Sequence, residues 1–406
     1  MRVLFASFTQ RTHLYPMIPL AWAFRAAGHE VRVAAQPGLT GAIVGAGLSA
    51  VEVAAGYDPL AELLKVRDEP GRRPGDIGSL SAGLADLPPE EVRRQRDARF
   101  APLVRLAELM AADLFPFAER WSPQLVVTDP LAFAAPLISA TLGIPLVRHI
   151  WGPDVTGGHP LQGRATPGDV HRQWPTGLVD LFDRYDVEVR DDYPMHTVDP
   201  WPTSLQLPGV PNRLAERAVP YNGSAAGAVP GWILEDPGRP RVCVTWGTTA
   251  AMLAGGNTLL PGVVAALGEL DVEAVVAAGR ADLDRIGDVP DNVRITENLP
   301  LSLLLPSCAA IVNQSGPGTV LTAAAYGVPQ VLMPATADTP LIAANFGTTG
   351  AGVVLDPGQA DADAIRSAVT AALTDASIRI AARKVQDEIA ATPTPADLVH
   401  TLERLA

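Results

Sequence analysis

The chain has 406 residues, of which 48% are hydrophobic and 18% charged, so it is long enough to form two globular domains with sizeable cores. Its 44 Asp and Glu outnumber its 31 Lys and Arg, and the net charge of −13 argues against nucleic acid or an anionic membrane as a partner. Cys243 and Cys308 are its two cysteines, and no signal peptide or membrane-length apolar run is recognisable. We expect a cytoplasmic protein with buried thiols and no membrane insertion.

The first half alternates short apolar strands with helices. Strands are predicted at residues 3–7, 31–35 and 48–53, and helical spacing of apolar residues predicts helices at 16–27 and 39–46. Residues 57–100 are less regular and predict loops with one exposed helix, before helical spacing returns at 103–121. The repetition predicts a parallel, doubly wound α/β sheet that binds ligands at the carboxyl ends of its strands.

Two polar residues follow predicted strands at this edge of the sheet. His13 lies in the loop after the first strand, and Asp129 ends the strand at residues 125–129. A carboxylate at this place can accept the imidazole N–H, orient the ring and stabilise its protonated form. A structural role for His13 and a helix-capping role for Asp129 are the alternatives.

An irregular segment at residues 152–200 is rich in Gly and Pro, with one predicted helix at 178–185. Irregular chain at a sheet edge can form the walls of an apolar ligand site. Packing in the core is an equally good account of each aromatic residue taken singly. The aromatic candidates for contacts to such a ligand are Trp151, Trp174, Phe182 and Tyr185.

A Pro-, Gly- and Ala-rich stretch at residues 219–240 has no sustained period and is predicted to link two domains. A second series of strands then begins at residue 241, which predicts a second parallel sheet facing the first across a cleft. His13 and Asp129 are expected on one wall of that cleft. The expected residues of the opposite wall are Thr248, Thr249, Gln314 to Thr319, and Asp338.

The most informative stretch runs from residue 309 to residue 334. A buried strand ends at Ile311 and Val312, a polar and Gly-rich turn follows, and a helix is predicted from Thr319 until near Gly327. Such a turn aims several backbone N–H groups and the positive end of the helix dipole at one point, where phosphate often binds. An ordinary strand–turn–helix connection without a ligand is the alternative.

Short motifs are spread in order along nearly the whole chain. They are the opening M-R-V-L-F-A-S with H-L-Y-P-M-I-P-L, F-A-A-P after Asp129, W-G-P-D at Trp151, Y-N-G at Tyr221, N-V-R at Asn292, L-L-P-S-C at Leu304, G-P-G-T at Gly316, G-V-P-Q at Gly327 and P-T-P-A at Pro393. Together they resemble the GT-B natural-product glycosyltransferases of actinomycetes, especially the macrolide-type transferases that use nucleotide-activated deoxysugars. The resemblance implies two Rossmann-like domains facing across a cleft.

The resemblance also implies roles for individual segments and residues. Residues 1–218 would bind the acceptor, 219–240 link the domains, 241–385 bind the nucleotide sugar, and 386–406 form a helix that packs back on the first domain. His13 would be the general base and Asp129 its orienting acid, with Trp151, Trp174 and Phe182 on the acceptor. The expected donor-binding residues are Thr248, Thr249, Leu299, Gln314, Ser315, Gly316, Gly318, Thr319, Asp338 and Thr339.

The implied reaction needs no cofactor and no metal, with a TDP-sugar as co-substrate. A neutral imidazole can remove the proton of an attacking alcohol, and the sugar passes through an oxocarbenium-like transition state. Oriented amides meet the charge of the leaving diphosphate, and a single displacement inverts the anomeric carbon. The expected product is a deoxysugar attached to a hydroxyl of an apolar polyketide aglycone in antibiotic biosynthesis.

The chain departs from the family at one place. Where relatives usually carry His-His-Gly-Gly, this sequence has Asn313-Gln314-Ser315-Gly316, so Gln314 replaces a histidine that usually contacts the diphosphate. A neutral amide donates a weaker hydrogen bond than a cationic ring, by about 1–3 kcal/mol. Either the grip on the diphosphate is weaker or donor turnover is lost.

The sequence leaves other interpretations open, and this departure motivates the first of them. One is a non-catalytic partner of the same fold in a biosynthetic complex, and another is a transferase that forms a carbon–glycoside bond. Some relatives need an auxiliary activator protein, and a homodimer is also compatible with the sequence. A dehydrogenase is disfavoured, since the series at Gly316 is G-P-G-T-V-L rather than G-x-G-x-x-G.

Overall fold

A computed structural model of the chain describes residues 1–67, 88–154, 174–190, 192–224, 228–247, 259–297, 299–334 and 338–406. The chain divides into two compact units, each built on one parallel sheet. Unit 1 comprises Met1–Pro200, Leu207–Arg217 and Pro393–Ala406, and unit 2 comprises Trp201–Gln206 and Ala218–Thr392. The predicted α/β class with two doubly wound domains is confirmed.

Unit 1 contains a seven-stranded sheet in the order β3-β2-β1-β4-β5-β6-β7, and every pairing is parallel. Its strands are β1 Arg2–Ala6, β2 Glu30–Ala35, β3 Ser49–Glu52, β4 Leu125–Thr128, β5 Leu146–His149, β6 His196–Asp199 and β7 Arg213–Ala215. The strand order reverses between β1 and β4. The ends of these two strands therefore form the crevice in which doubly wound sheets bind ligands.

Helices surround this sheet and bury the apolar strands between them. They are α1 Arg11–Leu14, α2 Ile18–Ala26, α3 Thr40–Gly45, α4 Pro59–Arg67, α5 Pro89–Trp121, α6 Ala134–Leu142, α7 Thr176–Asp183 and the last helix of the chain, Pro395–Glu403. Short 3₁₀ helices lie at Tyr15–Met17 and Pro37–Leu39. The last helix packs on α2, and its Leu402 is fully buried.

Unit 2 repeats the topology with six parallel strands in the order β10-β9-β8-β11-β12-β13. Its strand order reverses between β8 and β11, which places the corresponding crevice after these two strands. The strands are β8 Arg241–Thr245, β9 Glu273–Ala278, β10 Val293–Glu297, β11 Ala310–Asn313, β12 Gln330–Leu332 and β13 Gly352–Val354.

The helices of unit 2 cover both faces of its sheet. They are α8 Leu260–Gly268, α9 Arg280–Leu283, α10 Leu301–Leu304, α11 Pro317–Ala325, α12 Thr339–Gly347, α13 Ala362–Thr374 and α14 Ala376–Ala391, with α15 denoting the last helix, Pro395–Glu403, in unit 1. Short 3₁₀ helices lie at Thr203–Leu205, Gly231–Leu234, Leu305–Ser307 and Pro357–Gln359.

Helix α5 is longer than the sequence predicts. The sequence predicts one exposed helix within 57–100 and a separate helix at 103–121. This division is wrong, because α5 is a single helix of 33 residues that runs through Pro102 and Pro116. Proline usually interrupts a helix. Here a long apolar stripe fixes the helix against the core through Phe100, Leu103, Leu106, Met110 and Leu114.

The predicted linker at 219–240 lies within unit 2 rather than between the units. Its described residues include a 3₁₀ helix with buried Ile233, whose carbonyl accepts a hydrogen bond from Arg241 Nη1 at 3.1 Å. Trp201 and Leu205, expected in the first domain, pack in one core cluster with Phe346 of unit 2. Burial of these apolar side chains explains why residues 201–206 belong to unit 2 although the residues on either side belong to unit 1.

The carboxyl-terminal boundary also differs from the predicted one. Residues 386–392 continue α14 and belong to unit 2, while Pro393–Ala406 belongs to unit 1. The amide of Arg217 donates to the carbonyl of Pro393 at 2.6 Å, and Thr394 caps α15 in a reciprocal capping box with Asp397. The segment that returns to unit 1 is therefore shorter than 386–406.

Candidate active site

His13 and Asp129 meet at the crevice of unit 1. His13 lies in α1 after β1, Asp129 follows β4, and these strands are adjacent. His13 Nδ1 lies 2.7 Å from Asp129 Oδ2, and both residues are buried. The carboxylate can only accept, so Nδ1 carries the proton and Nε2 is the nitrogen that remains for a substrate.

Asp129 is held in this position from two sides. Its backbone N–H donates to the carbonyl of Ala6 at 2.9 Å, and its Oδ1 accepts from the Leu131 amide at 2.7 Å. The residue at the N-cap of α6 is Phe133, so Asp129 closes a local turn and does not cap this helix. Each carboxylate oxygen therefore has its own partner, and Oδ2 is committed to the imidazole.

Aromatic rings enclose the imidazole of His13. Phe8 approaches it edge-on with ring centroids 5.1 Å apart, and Trp151 lies over it with centroids 4.0 Å apart and a tilt of 33°. Trp151 was expected to contact an apolar acceptor, and the structure brings it to the predicted base. Its role as an acceptor contact stays a prediction.

The other aromatic candidates lie in the core of unit 1. Trp174 is 3% exposed and Phe182 is fully buried, and both belong to the main core cluster. Tyr185 stacks on Phe115 with centroids 4.5 Å apart. A buried ring presents little surface to a ligand, so the acceptor contacts of Trp174 and Phe182 stay predictions beside the packing alternative.

The polar turn in unit 2 has the form predicted from the sequence. Strand β11 ends at Asn313, and α11 begins after its N-cap residue Gly316. Between them, Ser315 adopts a φ of 67°, and its amide donates to Asn313 Oδ1 at 2.8 Å. A left-handed conformation is costly for a residue other than glycine, and such strain concentrates at ligand-binding turns.

Two buried polar atoms of this turn have no hydrogen-bond partner among the described residues. They are Gln314 Oε1 and Ser315 Oγ. Buried polar atoms are normally paired. The Ser315 hydroxyl can donate to an anion at this helix N-terminus, whereas Gln314 Oε1 only accepts and needs a donor as its partner. The turn is therefore a candidate anion site by chemistry as well as by pattern.

Glycines make room for the side chain of Gln314. A β-carbon on Gly316 would lie 2.7 Å from Gln314 Nε2, and one on Gly247 would also collide with it. Gly247 follows β8, the strand adjacent to β11. The Gln314 amide thus occupies the crevice of the second sheet, at the end of its two central strands.

The remaining predicted donor-binding residues have different surroundings. Gly318 and Thr319 form the first turn of α11, Asp338 is the N-cap residue of α12, and Thr339 is buried at the start of that helix. Leu299 packs against an apolar cluster next to β11. Thr248 and Thr249 lie outside the described residues.

Three supporting contacts were not predicted from the sequence. Asn313 Nδ2 donates to Gln330 Oε1 at 3.1 Å, which ties β11 to β12 beneath the turn. Asn222 bonds Thr322 Oγ1 at 3.1 Å and the Ser302 amide at 2.9 Å, and so joins α11 to α10. Asn222 is the asparagine of the Y-N-G motif at Tyr221.

A third contact lies beside Trp151. Arg148 Nη2 donates to Asp154 Oδ2 at 2.7 Å, and both side chains are buried. The D of the W-G-P-D motif was the only sequence signal for it. The pairing could not be inferred, because nothing in the sequence shows that Arg148 turns toward residue 154.

No group of three or more His, Cys, Asp or Glu in the described ranges is arranged to hold a metal ion. The expectation of a metal-free reaction stays a prediction. Across the same part of the chain, no helix has the length and apolar character needed to cross a membrane.

Comparison with known proteins extends these observations. Residues 22–247 match the N-terminal domain of the family described as erythromycin biosynthesis protein CIII-like, and residues 262–405 match its C-terminal domain. The 10-deoxymethynolide desosaminyltransferase of Streptomyces venezuelae is 38% identical over 424 aligned positions, which cover all of this chain and 97% of that protein.

Solved structures agree with the sequence comparison. The glycosyltransferase VinC in complex with DTDP superimposes with a TM-score of 0.80 at 33% identity, covering 100% of this chain and 99% of VinC. The spinosyn rhamnosyltransferase SpnG complexed with thymidine diphosphate gives a TM-score of 0.79 at 32% identity, covering 99% of this chain and 100% of SpnG. The chain belongs to the erythromycin biosynthesis protein CIII-like family and is a GT-B glycosyltransferase.

Proposed function

We propose that this glycosyltransferase moves a deoxysugar from a thymidine diphosphate donor to a hydroxyl of an apolar polyketide aglycone, with inversion at the anomeric carbon. The 2.7 Å hydrogen bond between His13 and Asp129 carries the proposal. The names of similar proteins supply the substrate classes: one transfers desosamine to 10-deoxymethynolide, and others are solved with thymidine diphosphate.

The acceptor half of the reaction uses unit 1. Nε2 of His13 takes the proton of the acceptor hydroxyl as its oxygen attacks the anomeric carbon. The bond from that carbon to the diphosphate oxygen breaks with its electron pair, and TDP leaves. Asp129 keeps Nε2 free of its proton beforehand and stabilises the imidazolium afterwards.

The donor half uses unit 2. The N-terminus of α11, the strained Ser315 and the amide of Gln314 form a cradle of neutral hydrogen-bond donors. We infer that this cradle meets the charge of the departing diphosphate and that no metal takes part. Gln314 retains one neutral hydrogen-bonding N–H group where relatives usually carry histidine. Binding of the TDP-sugar is therefore weakened rather than abolished.

A product screen tests the proposal. The purified chain is incubated with TDP-desosamine or TDP-mycaminose and with 10-deoxymethynolide or tylactone, the sugars and aglycones named for similar proteins. The expected result is an aglycone heavier by one deoxysugar, with an anomeric configuration opposite to that of the donor and a glycosidic bond that acid cleaves.

Three outcomes would contradict parts of the proposal. Retained configuration would exclude a single displacement, and an acid-stable product would indicate a carbon–glycoside bond. Absence of product from every pair, together with no calorimetric binding of millimolar TDP, would exclude the donor class. Product that appears only when an auxiliary protein is added would leave the chemistry intact and identify that partner.

A further inference from the structure

The strongest unassigned feature is the packing of Trp151 on His13. The ring centroids are 4.0 Å apart with a tilt of 33°, so the indole covers one side of the imidazole. Phe8 approaches from another direction, edge-on at 5.1 Å. With Nδ1 bonded to Asp129, the imidazole is enclosed by one carboxylate and two aromatic rings, and His13 is only 7% exposed.

Trp151 lies at one end of a turn that a buried ion pair closes. Trp151 begins the turn W-G-P-D that leaves β5, and Asp154 at its other end accepts from Arg148 Nη2 at 2.7 Å. Arg148 lies in β5 and is itself fixed by Thr197 Oγ1 of β6, 3.2 Å from its Nε. The ion pair therefore anchors to the sheet the end of the turn that begins at Trp151.

The pair is unusual because its charges are buried. Arg148 is 5% exposed and Asp154 is 7% exposed. Removing two charges from water is unfavourable, so a buried ion pair is a poor source of stability and is better explained by the geometry that it imposes. The geometry imposed here is that of the turn that begins at Trp151.

We propose that Trp151 is a positioning residue for His13 and that the Arg148–Asp154 pair holds it in place. This inference rests on the proposed function. The indole restricts the imidazole to the orientation in which Nδ1 faces Asp129. When Nε2 takes the acceptor proton, the resulting cation lies over an electron-rich ring that attracts it.

The proposal predicts an effect on turnover rather than on acceptor affinity. The indole attracts the protonated ring more strongly than the neutral one, so the contact strengthens in the transition state and its loss lowers kcat. Trp151→Leu is expected to lower kcat on the order of tenfold with an acceptor KM changed less than about twofold. Trp151→Phe keeps an aromatic face and should stay within about threefold of the wild type.

Two companion measurements separate positioning from general damage. Trp22→Leu is the matched control, because Trp22 is 37% exposed on α2, and its kcat should not change. In a His13→Ala background, Trp151→Leu should cause no further loss, since its effect passes through the imidazole. Asp154→Asn should lower kcat in the same direction, with its melting temperature recorded alongside.

Proton NMR supplies a test that does not need turnover. The His13 ring protons, identified by their loss in His13→Gln, should be shifted upfield by the indole in the wild type and return downfield in Trp151→Leu. A raised acceptor KM with unchanged kcat, additive losses with His13→Ala, or an unshifted proton would each overturn the proposal. If no donor and acceptor pair reacts, the proposed function fails, and the NMR signal still decides whether the rings stack.

Discussion

The side-chain amide of Gln314 occupies the space next to the α-carbon of Gly247, so a β-carbon at residue 247 would collide with Gln314 Nε2. The two residues follow adjacent central strands, β8 and β11, at the crevice of unit 2. The position of an amide that we assign to the diphosphate site therefore depends on a glycine 67 residues earlier in the chain.

Gly247→Ala should weaken TDP binding and lower stability together. Its φ of 65° strains any L-residue by about 1 kcal/mol, and the added β-carbon displaces the end of the flexible Gln314 side chain. Gly287→Ala is the matched control, because Gly287 has a φ of 73° with no atom near its β-carbon position. Calorimetric TDP binding should fall only in Gly247→Ala; equal affinities in both variants would contradict the contact.

Gln314→Glu should reduce TDP affinity more than Gln314→Ala does. Alanine removes one neutral hydrogen bond, an expected loss on the order of tenfold, whereas glutamate places a like charge against the diphosphate in a buried site. Thymidine without phosphates is the control ligand, and its affinity should be the same in all three proteins. Equal TDP affinities would show that residue 314 does not contact the diphosphate.

Asp129→Asn should abolish most turnover while leaving the fold intact. The amide oxygen can keep the bond from the Leu131 amide, which leaves the NH₂ group to donate to His13 Nδ1. The imidazole proton then moves to Nε2, which can no longer accept one. We expect kcat to fall by about 10²- to 10⁴-fold, with TDP affinity unchanged in calorimetry. A kcat within threefold of the wild type would exclude the orienting role.

The two thiols should resist alkylation in the native protein. Burial raises the pKa of Cys308 to about 12 and that of Cys243 well above its usual range. At pH 8, iodoacetamide should therefore react about a thousandfold more slowly than in denaturant. These raised pKa values contribute stability below the unfolded thiol pKa, and this contribution declines as the pH rises toward 12. Alkylation at equal rates in the native and denatured protein would contradict the raised pKa values of the two thiols.

The sequence predicts most of the polar site because the site follows the topology. In a doubly wound sheet the residues after adjacent central strands must meet, so His13 and Asp129 could be paired before their distance was known. The turn from Asn313 to Gly316 could also be predicted, because a strand, a glycine and a helix occur in succession.

The parts that escaped prediction depend on tertiary packing. The complete burial of Phe182 follows from the packing of α7 on α5, which the spacing of apolar residues alone does not show. Pro102 suggests the end of a helix, yet packing of its neighbours keeps α5 continuous. The pairing of Arg148 with Asp154 could not be inferred, because the direction of an arginine side chain is decided by its partners.

The most direct test of the account is the turnover of His13→Ala at saturating donor and acceptor. Without the imidazole, no group bonded to Asp129 can take the proton of the acceptor hydroxyl. General-base catalysis of this kind typically contributes 10²- to 10⁴-fold, so kcat should fall by about that factor while TDP still binds with wild-type affinity. Near-full turnover by His13→Ala would show that His13 is not the base and would contradict the mechanism proposed for this transferase.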